Sequence, residues 1–169
     1  EFTHHINCKR KIALDINPET KKYAQKKVET YICSSTSIPK KLYSTVDVVF
    51  ASNFFEHLAT KEDLAKTFIE IKKMLKKGGK FIILMPNLRF VGNKYWDFLD
   101  HQLPLTDKSM IEALELNGFK IVESRLRFLP YSTKSSLPKT KIFVSLYLKL
   151  PFLHLLFGEQ SLLVAEKTK

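Results

Sequence analysis

This chain has little glycine, cysteine or tryptophan: five Gly, two Cys and one Trp in 169 residues. The glycines are Gly78, Gly79, Gly92, Gly118 and Gly158, so no glycine-rich cofactor loop stands in the first part of the chain. Cys8 and Cys33 have neither CxxC spacing nor enough partners for a disulfide framework. They read as free thiols in a reducing compartment, which points to the cytoplasm. The opening Glu1-Phe2-Thr3-His4-His5 lacks the apolar stretch of a secretory signal, and there is no initiator methionine. Internal repeats and low-complexity segments are absent as well.

What is present suits one globular domain over residues 1–169. Hydrophobic residues make up 44% of the chain, enough for a core. The 28 Lys plus Arg against 17 Asp plus Glu give a net charge of +11. Such a charge suits nucleic acid or anionic lipid, or simply a lysine-rich surface. The lysines are spread in pairs along the chain, and no block of aromatics and bases forms a recognition element. Nucleic acid is therefore not the expected partner.

The apolar run at residues 11–16 reads as a buried strand ending in Asp15. Asn17-Pro18-Glu19 reads as a helix start, with Asn17 as N-cap and the helix running to about residue 28. Residues 31–33 and 46–51 read as further strands, the second apolar enough to be covered on both faces. Thr60 and Asp63 resemble a capping box. Leu64, Phe68, Ile71 and Leu75 follow as one helical stripe, and Gly78-Gly79 is expected to end that helix. Residues 80–85 form a dense strand stopped by Pro86. Thr106-Asp107 caps another helix with Met110, Ile111 and Leu114 inward, closed by Gly118. Residues 120–128 and 161–166 complete the strands. Alternating strands and helices predict a doubly wound, mostly parallel α/β sheet, with an antiparallel strand at its edge.

Residues 137–158 form an apolar insertion before the last strand, interrupted by Lys149 and Pro151 and too short to span a bilayer. Two readings stand. The segment is a broken helix packed on the domain or on a second subunit, or it lies in a membrane interface and meets a lipid-linked substrate.

Asp47-Val-Val-Phe-Ala-Ser-Asn-Phe-Phe-Glu-His-Leu58, followed by Leu75-Lys-Lys-Gly-Gly-Lys-Phe-Ile-Ile-Leu-Met-Pro-Asn87, resembles the middle of a class I S-adenosylmethionine-dependent methyltransferase of the type 11/12-like group. The resemblance covers residues 2–122 well and extends loosely to residue 166. It implies a Rossmann-like fold and S-adenosyl-L-methionine as cofactor. Asp15, followed by Ile16, stands where the family has the acid that accepts hydrogen bonds from the ribose hydroxyls. Against this, Asp15 could serve as a second cap for the helix at Pro18. Ser34 and Ser35 occupy the adenine-binding position, usually an acid, and also suit a plain Ser/Thr turn. Ser52, Asn53 and Phe54 would run beneath the methionine part of the cofactor.

The resemblance also implies an acceptor pocket of Glu56, His57, Asn87, Tyr95, Trp96 and His101, capped by a loop over residues 88–106. His101, oriented by Asp100 or Asp97, and His57 are the candidate general bases. Both also suit ordinary roles, His57 bonding backbone and His101 lying on the surface. No metal is expected at Glu56 and His57, because no further ligand stands at usable spacing.

The family's first strand and Gly-x-Gly-x-Gly loop would precede Glu1, which implies roughly 30–60 further residues upstream. That strand would lie between those at Ala13 and Val48, and the 169 residues alone are expected to hold the cofactor weakly. Three functions are carried forward. The first is methyl transfer, at oxygen, to a small-molecule, glycan or lipid-linked acceptor. The second is a non-catalytic scaffold or subunit of the same fold. The third is RNA methylation, which the charge favours and the lack of an Asn/Asp-Pro-Pro-Tyr motif after residue 51 opposes.

Overall fold

The structure is a computed structural model describing residues 5–24, 27–131 and 140–168. The side chains of Lys141 and Ile142 lie outside that description, as do the middle of the expected first helix and the start of the 137–158 insertion.

Strands β1 (Lys11–Asp15) and β2 (Val28–Ile32) pair in parallel. Four more form a second sheet in the order β3 (Val46–Ser52), β4 (Leu75–Pro86), β6 (Gln160–Lys167), β5 (Phe119–Leu129). β3 and β4 are parallel, whereas β6 runs antiparallel to both neighbours. The antiparallel strand thus lies one place in from the edge. Lying between β4 and β5, β6 bonds on both sides, which an outermost position would forfeit.

Among the described residues β1 pairs only with β2, and β3 only with β4. The expectation that residues 46–51 are covered on both faces is therefore corrected: Val48 is 49% exposed. The two sheets are joined through Ile38, Leu42 and Met74, against which Ile12, Leu14, Tyr31, Val46 and Val49 pack.

The helices follow their sequence signals with two corrections. α1 spans only Thr20–Tyr23. Asn17 caps the preceding turn by accepting from the Glu19 amide at 2.9 Å, so Pro18 is in that turn and not in the helix. α2 (Lys61–Met74) begins at Thr60, whose hydroxyl accepts from the Asp63 amide. Its stripe is buried as expected, with Leu64, Phe68 and Ile71 in the core and Leu75 just beyond.

The helix ends at Met74, before the two glycines, because the chain enters β4 at once. Gly78, at φ +72°, lies within an irregularity where Val46 faces Leu75 but Val48 faces Lys80. The extra residues loop out, and only glycine turns there without strain.

α3 (Leu88–Val91) leads into a 3-10 segment, Gly92–Asp97. α4 (Asp107–Leu116) carries a full capping box between Thr106 and Ser109 and buries Met110 and Leu114. α5 (Lys141–Lys149) and α6 (Pro151–Phe157) break at Leu150-Pro151 as the sequence predicts. None of the described helices is long and apolar enough to cross a membrane.

Candidate active site

The carboxyl ends of β1 and β3 carry the residues expected to meet a cofactor. At the end of β1, the Asp15 carboxylate accepts from the Asn17 amide (2.9 Å) and the Thr20 hydroxyl (2.8 Å). The local capping role is thus present. A carboxylate has about four lone-pair sites, so accepting capacity remains. Ile16 beside it is 73% exposed. In the loop after β2, Ser34 bonds the Thr36 hydroxyl and amide, forming the plain turn. Ser35 reaches across to the Thr67 hydroxyl of α2 at 2.8 Å, pinning this loop to the helix.

β3 ends at Ser52, and Asn53 turns the chain with φ +47°, a left-handed conformation that asparagine tolerates. Phe54 then stacks edge-on against buried Phe55, and the chain closes into a 3-10 turn over Phe55–His57. The Glu56 carbonyl accepts from the amides of Gln102 (2.8 Å) and Leu103 (3.1 Å). Those bonds fix the capping loop over the turn.

The side chains gathered there are more specific than the sequence showed. Glu56 is 3% exposed and its Oε2 has no hydrogen-bond partner. Burial pushes its carboxyl above the usual range. His57 Nδ1 lies 3.2 Å from the Asp100 carboxylate and 3.3 Å from the Asp100 carbonyl. His101 is buried, not on the surface, and its Nδ1 lies 2.9 Å from the Tyr95 carbonyl. The expectation that Asp100 or Asp97 orients His101 is therefore corrected: Asp100 serves His57, and the backbone of Tyr95 serves His101. A carbonyl can only accept, so His101 Nδ1 carries the proton and Nε2 keeps its lone pair. The two imidazole rings lie 5.1 Å apart.

Two predicted pocket residues turn out to be structural. Tyr95 is fully buried and donates its hydroxyl to the Leu103 carbonyl at 2.6 Å. Burial raises its phenol well above the ordinary value. Asn87 is also fully buried. Its amide donates to Asp107 (2.8 Å) and Ser161 (2.9 Å), which spends both N–H groups. Trp96 is 56% exposed and flanks Tyr95. Phe98 stacks on His101 at 5.0 Å, and Leu99 is wholly exposed, so an apolar lip lies beside the histidines.

Tyr131, which sequence reasoning missed, places its hydroxyl 3.3 Å from His101 Nδ1 and its ring against Phe98. No local pattern marks it, because the contact spans 30 residues. The depression lined by Ile69, Lys72, Lys73, Leu116, Asn117, Gly118 and Lys167 shares no residue with this site.

A mixed α/β fold with parallel strand pairs, an acid ending one strand and a Glu-His turn after another matches the Rossmann-like arrangement, in which ligands sit at strand ends. Residues 2–83 match a family model described as a methyltransferase domain. That match, over just under half of the chain, and the fold shared with the structures below support a class I S-adenosylmethionine-dependent methyltransferase.

Three solved structures share the fold. An S-adenosylmethionine-dependent methyltransferase from Archaeoglobus fulgidus is 21% identical with TM-score 0.62, over 92% of this chain and 75% of that one. A chain from the Haloferax volcanii complex between the Trm112 methyltransferase activator and a methyltransferase is 17% identical with TM-score 0.68, over 95% and 73%. The Burkholderia thailandensis 1,6-didemethyltoxoflavin-N1-methyltransferase, solved with bound 1,6-didemethyltoxoflavin and S-adenosylhomocysteine, is 16% identical with TM-score 0.59, over 94% and 61%. No curated protein matches the chain in sequence.

Proposed function

We propose that this methyltransferase moves the methyl group of S-adenosylmethionine to a hydroxyl oxygen of an amphiphilic acceptor: a small molecule, glycan or lipid-linked compound. One observation carries the reading. The fold gathers Glu56, His57 and His101 under an apolar lip, with donor atoms within 4.8 Å of one another. A sulfonium supplies an electrophilic methyl with its leaving group attached, so positioning provides much of the acceleration, on the order of 7–11 kcal/mol. A hydroxyl acceptor must also lose its proton. His101 Nε2, held in the accepting tautomer, takes that role, and His57 lies next to it.

On the cofactor side, Asp15 receives the ribose and exposed Ile16 offers an apolar face beside it. Ser34 and Ser35 border the adenine, and Ser52, Asn53 and Phe54 support the methionine end. On the acceptor side, Trp96, Phe98 and Leu99 take an apolar portion of the substrate, with exposures of 56%, 47% and 103%.

The same reading gives α5 and α6 a purpose. Their outward side chains include Phe143, Leu146, Phe152, Leu155 and Leu156, each at least 48% exposed. Between Glu123 and Glu159 the sequence has no acid but contains Arg125, Arg127, Lys134, Lys139, Lys141 and Lys149. Two copies of so basic a segment would repel, whereas an anionic bilayer attracts the bases and takes the apolar side chains. Tyr131, two residues past the end of the strand that precedes α5, touches Phe98 and His101 of the acceptor site.

The test is calorimetric titration of the full-length protein with S-adenosylhomocysteine, followed by incubation with labelled donor and a lipid extract. Heat of binding and label in a base-stable ether support the reading. Absence of binding heat removes it in favour of a scaffold. Sedimentation with phosphatidylglycerol vesicles, lost on Phe152→Ser/Leu155→Ser, checks the membrane contact.

A further inference from the structure

The sequence offers Glu56 and His57 as neighbours and no third ligand near them. Folding supplies one: His101 arrives from the capping loop, and one donor atom from each of the three lies within 4.8 Å of the others. Their outer partners follow the pattern of ligating histidines. Both oxygens facing His57 Nδ1, the Asp100 carboxylate at 3.2 Å and carbonyl at 3.3 Å, are acceptors. The proton therefore stays on Nδ1, and Nε2 presents its lone pair 3.9 Å from Glu56 Oε1. His101 is held the same way by the Tyr95 carbonyl at 2.9 Å. Each imidazole thus has an acceptor behind it and a free Nε2 in front, the arrangement that fixes and strengthens a metal-bound histidine.

Glu56 adds an independent sign. Its Oε2 is buried without a hydrogen-bond partner in a side chain only 3% exposed. Buried carboxylates are normally bonded or coordinated.

We propose that Glu56, His57 and His101 form a binding site for one divalent transition-metal ion, with zinc the best match to two imidazoles and a carboxylate. Ligand bonds of about 2.0–2.2 Å place tetrahedral donors roughly 3.4 Å apart, so the three must draw together by about an ångström. His57 can make that movement, because its side chain is 36% exposed while Glu56 is held in place by burial. Three protein ligands leave a coordination position open for water or an acceptor oxygen. Metal binding stands without the methyl-transfer reading. Once bound, the ion occupies the His101 Nε2 lone pair, so it takes over from His101 by holding and acidifying the acceptor hydroxyl, whose proton passes to solvent; that role rests on the transfer reading.

The test is zinc titration of the chelator-treated full chain carrying His4→Ala/His5→Ala, which removes a competing histidine pair. One bound equivalent is expected. His57→Ala, Glu56→Gln and His101→Ala should each weaken it at least about a hundredfold, with melting curves confirming that the variants fold. Asp100→Ala should cost about 10–100-fold through the second shell. Nitrogen-15 shifts of the imidazoles give a second readout: zinc should move Nε2 of His57 and His101 and leave His154 unchanged. An isotherm that His57→Ala and Glu56→Gln leave unaltered, or zinc shifts confined to other residues, overturns the site. Zinc binding without methyl transfer would instead sink the transfer reading and leave this one standing.

Discussion

The two-stranded and four-stranded sheets are built to different standards. The larger sheet buries a continuous core, in which Phe55, Phe68, Phe81 and Phe119 meet edge to face with Leu75, Ile83, Leu114 and Leu163 around them. Among the described residues the smaller sheet packs on a cluster of three buried apolar residues, Ile38, Leu42 and Met74; within the sheet itself Val28 alone is buried. The proposed acceptor site stands on the first, and Asp15, the acid we assign to the ribose, on the second. The half assigned to the acceptor is densely packed, whereas the half assigned to the cofactor is thinly packed and pinned by polar ties. Ligand binding can stabilise only what is not already fixed, so the cofactor should order the smaller sheet far more than the larger.

Core substitution tests that contrast most strongly. Phe81 is fully buried among three other rings, and Phe81→Ala should cost about 3–5 kcal/mol in urea unfolding. Leu14 is half-buried against the smaller cluster, and Leu14→Ala should cost only about 1 kcal/mol. Equal losses would show that the two sheets share one core after all.

Kinetics separates the halves next. His101→Ala should lower kcat about a hundredfold or more and leave the S-adenosylhomocysteine affinity within about twofold. Asp15→Ala should do the reverse. Losing hydrogen bonds to a charged acceptor, worth about 1.5–3 kcal/mol, weakens cofactor binding by roughly 10–150-fold at nearly constant kcat. Asp15→Asn, whose Oδ1 still accepts from the Asn17 amide and whose Nδ2 can donate to the Thr20 hydroxyl, separates the ribose contact from local capping.

Most of the larger sheet was legible in the sequence, because its signals are local. Thr60, Thr106 and the Leu64–Phe68–Ile71 stripe each specify structure within a few residues, and all three readings hold. The failures share a cause. Nothing local distinguishes Gly78-Gly79 as a helix end from the same pair in a strand irregularity, since the register against β3 decides. The first helix was read too long because Asn17 and Pro18 mark a turn as well as they mark a helix. At the site, Glu56 and His57 were visible as a pair, but the pairings of His57 with Asp100 and of His101 with Tyr131 span 43 and 30 residues. Chemistry assembled by chain return leaves little periodic trace.

Acid offers the finest discrimination, because each half has its own buried carboxylate. Burial alone would raise Glu70, but Lys73 (2.7 Å), the Tyr43 hydroxyl (2.9 Å) and the Ile38 amide (3.2 Å) outweigh it and hold the carboxyl below its ordinary value. These bonds tie the connector after β2 to α2. Burial likewise raises Asp107, and Asn87 and Arg89 outweigh it. That pair ties the capping loop to the larger sheet. A carboxyl depressed in the folded state contributes stability that is complete above its unfolded pKa and disappears as pH falls through the folded value. The loss should therefore begin near pH 4–5, around the ordinary carboxylate range, and deepen below it. Amide exchange should show protection in residues 38–45 falling first, because little apolar burial supports them. Protection in residues 87–107 should persist to lower pH. Glu70→Gln should remove the acid step from the first segment alone, and Asp107→Asn from the second alone. Simultaneous loss in both segments, in wild type and in both variants, would make the two sheets one cooperative unit and remove the distinction between a packed acceptor side and an adaptable cofactor side.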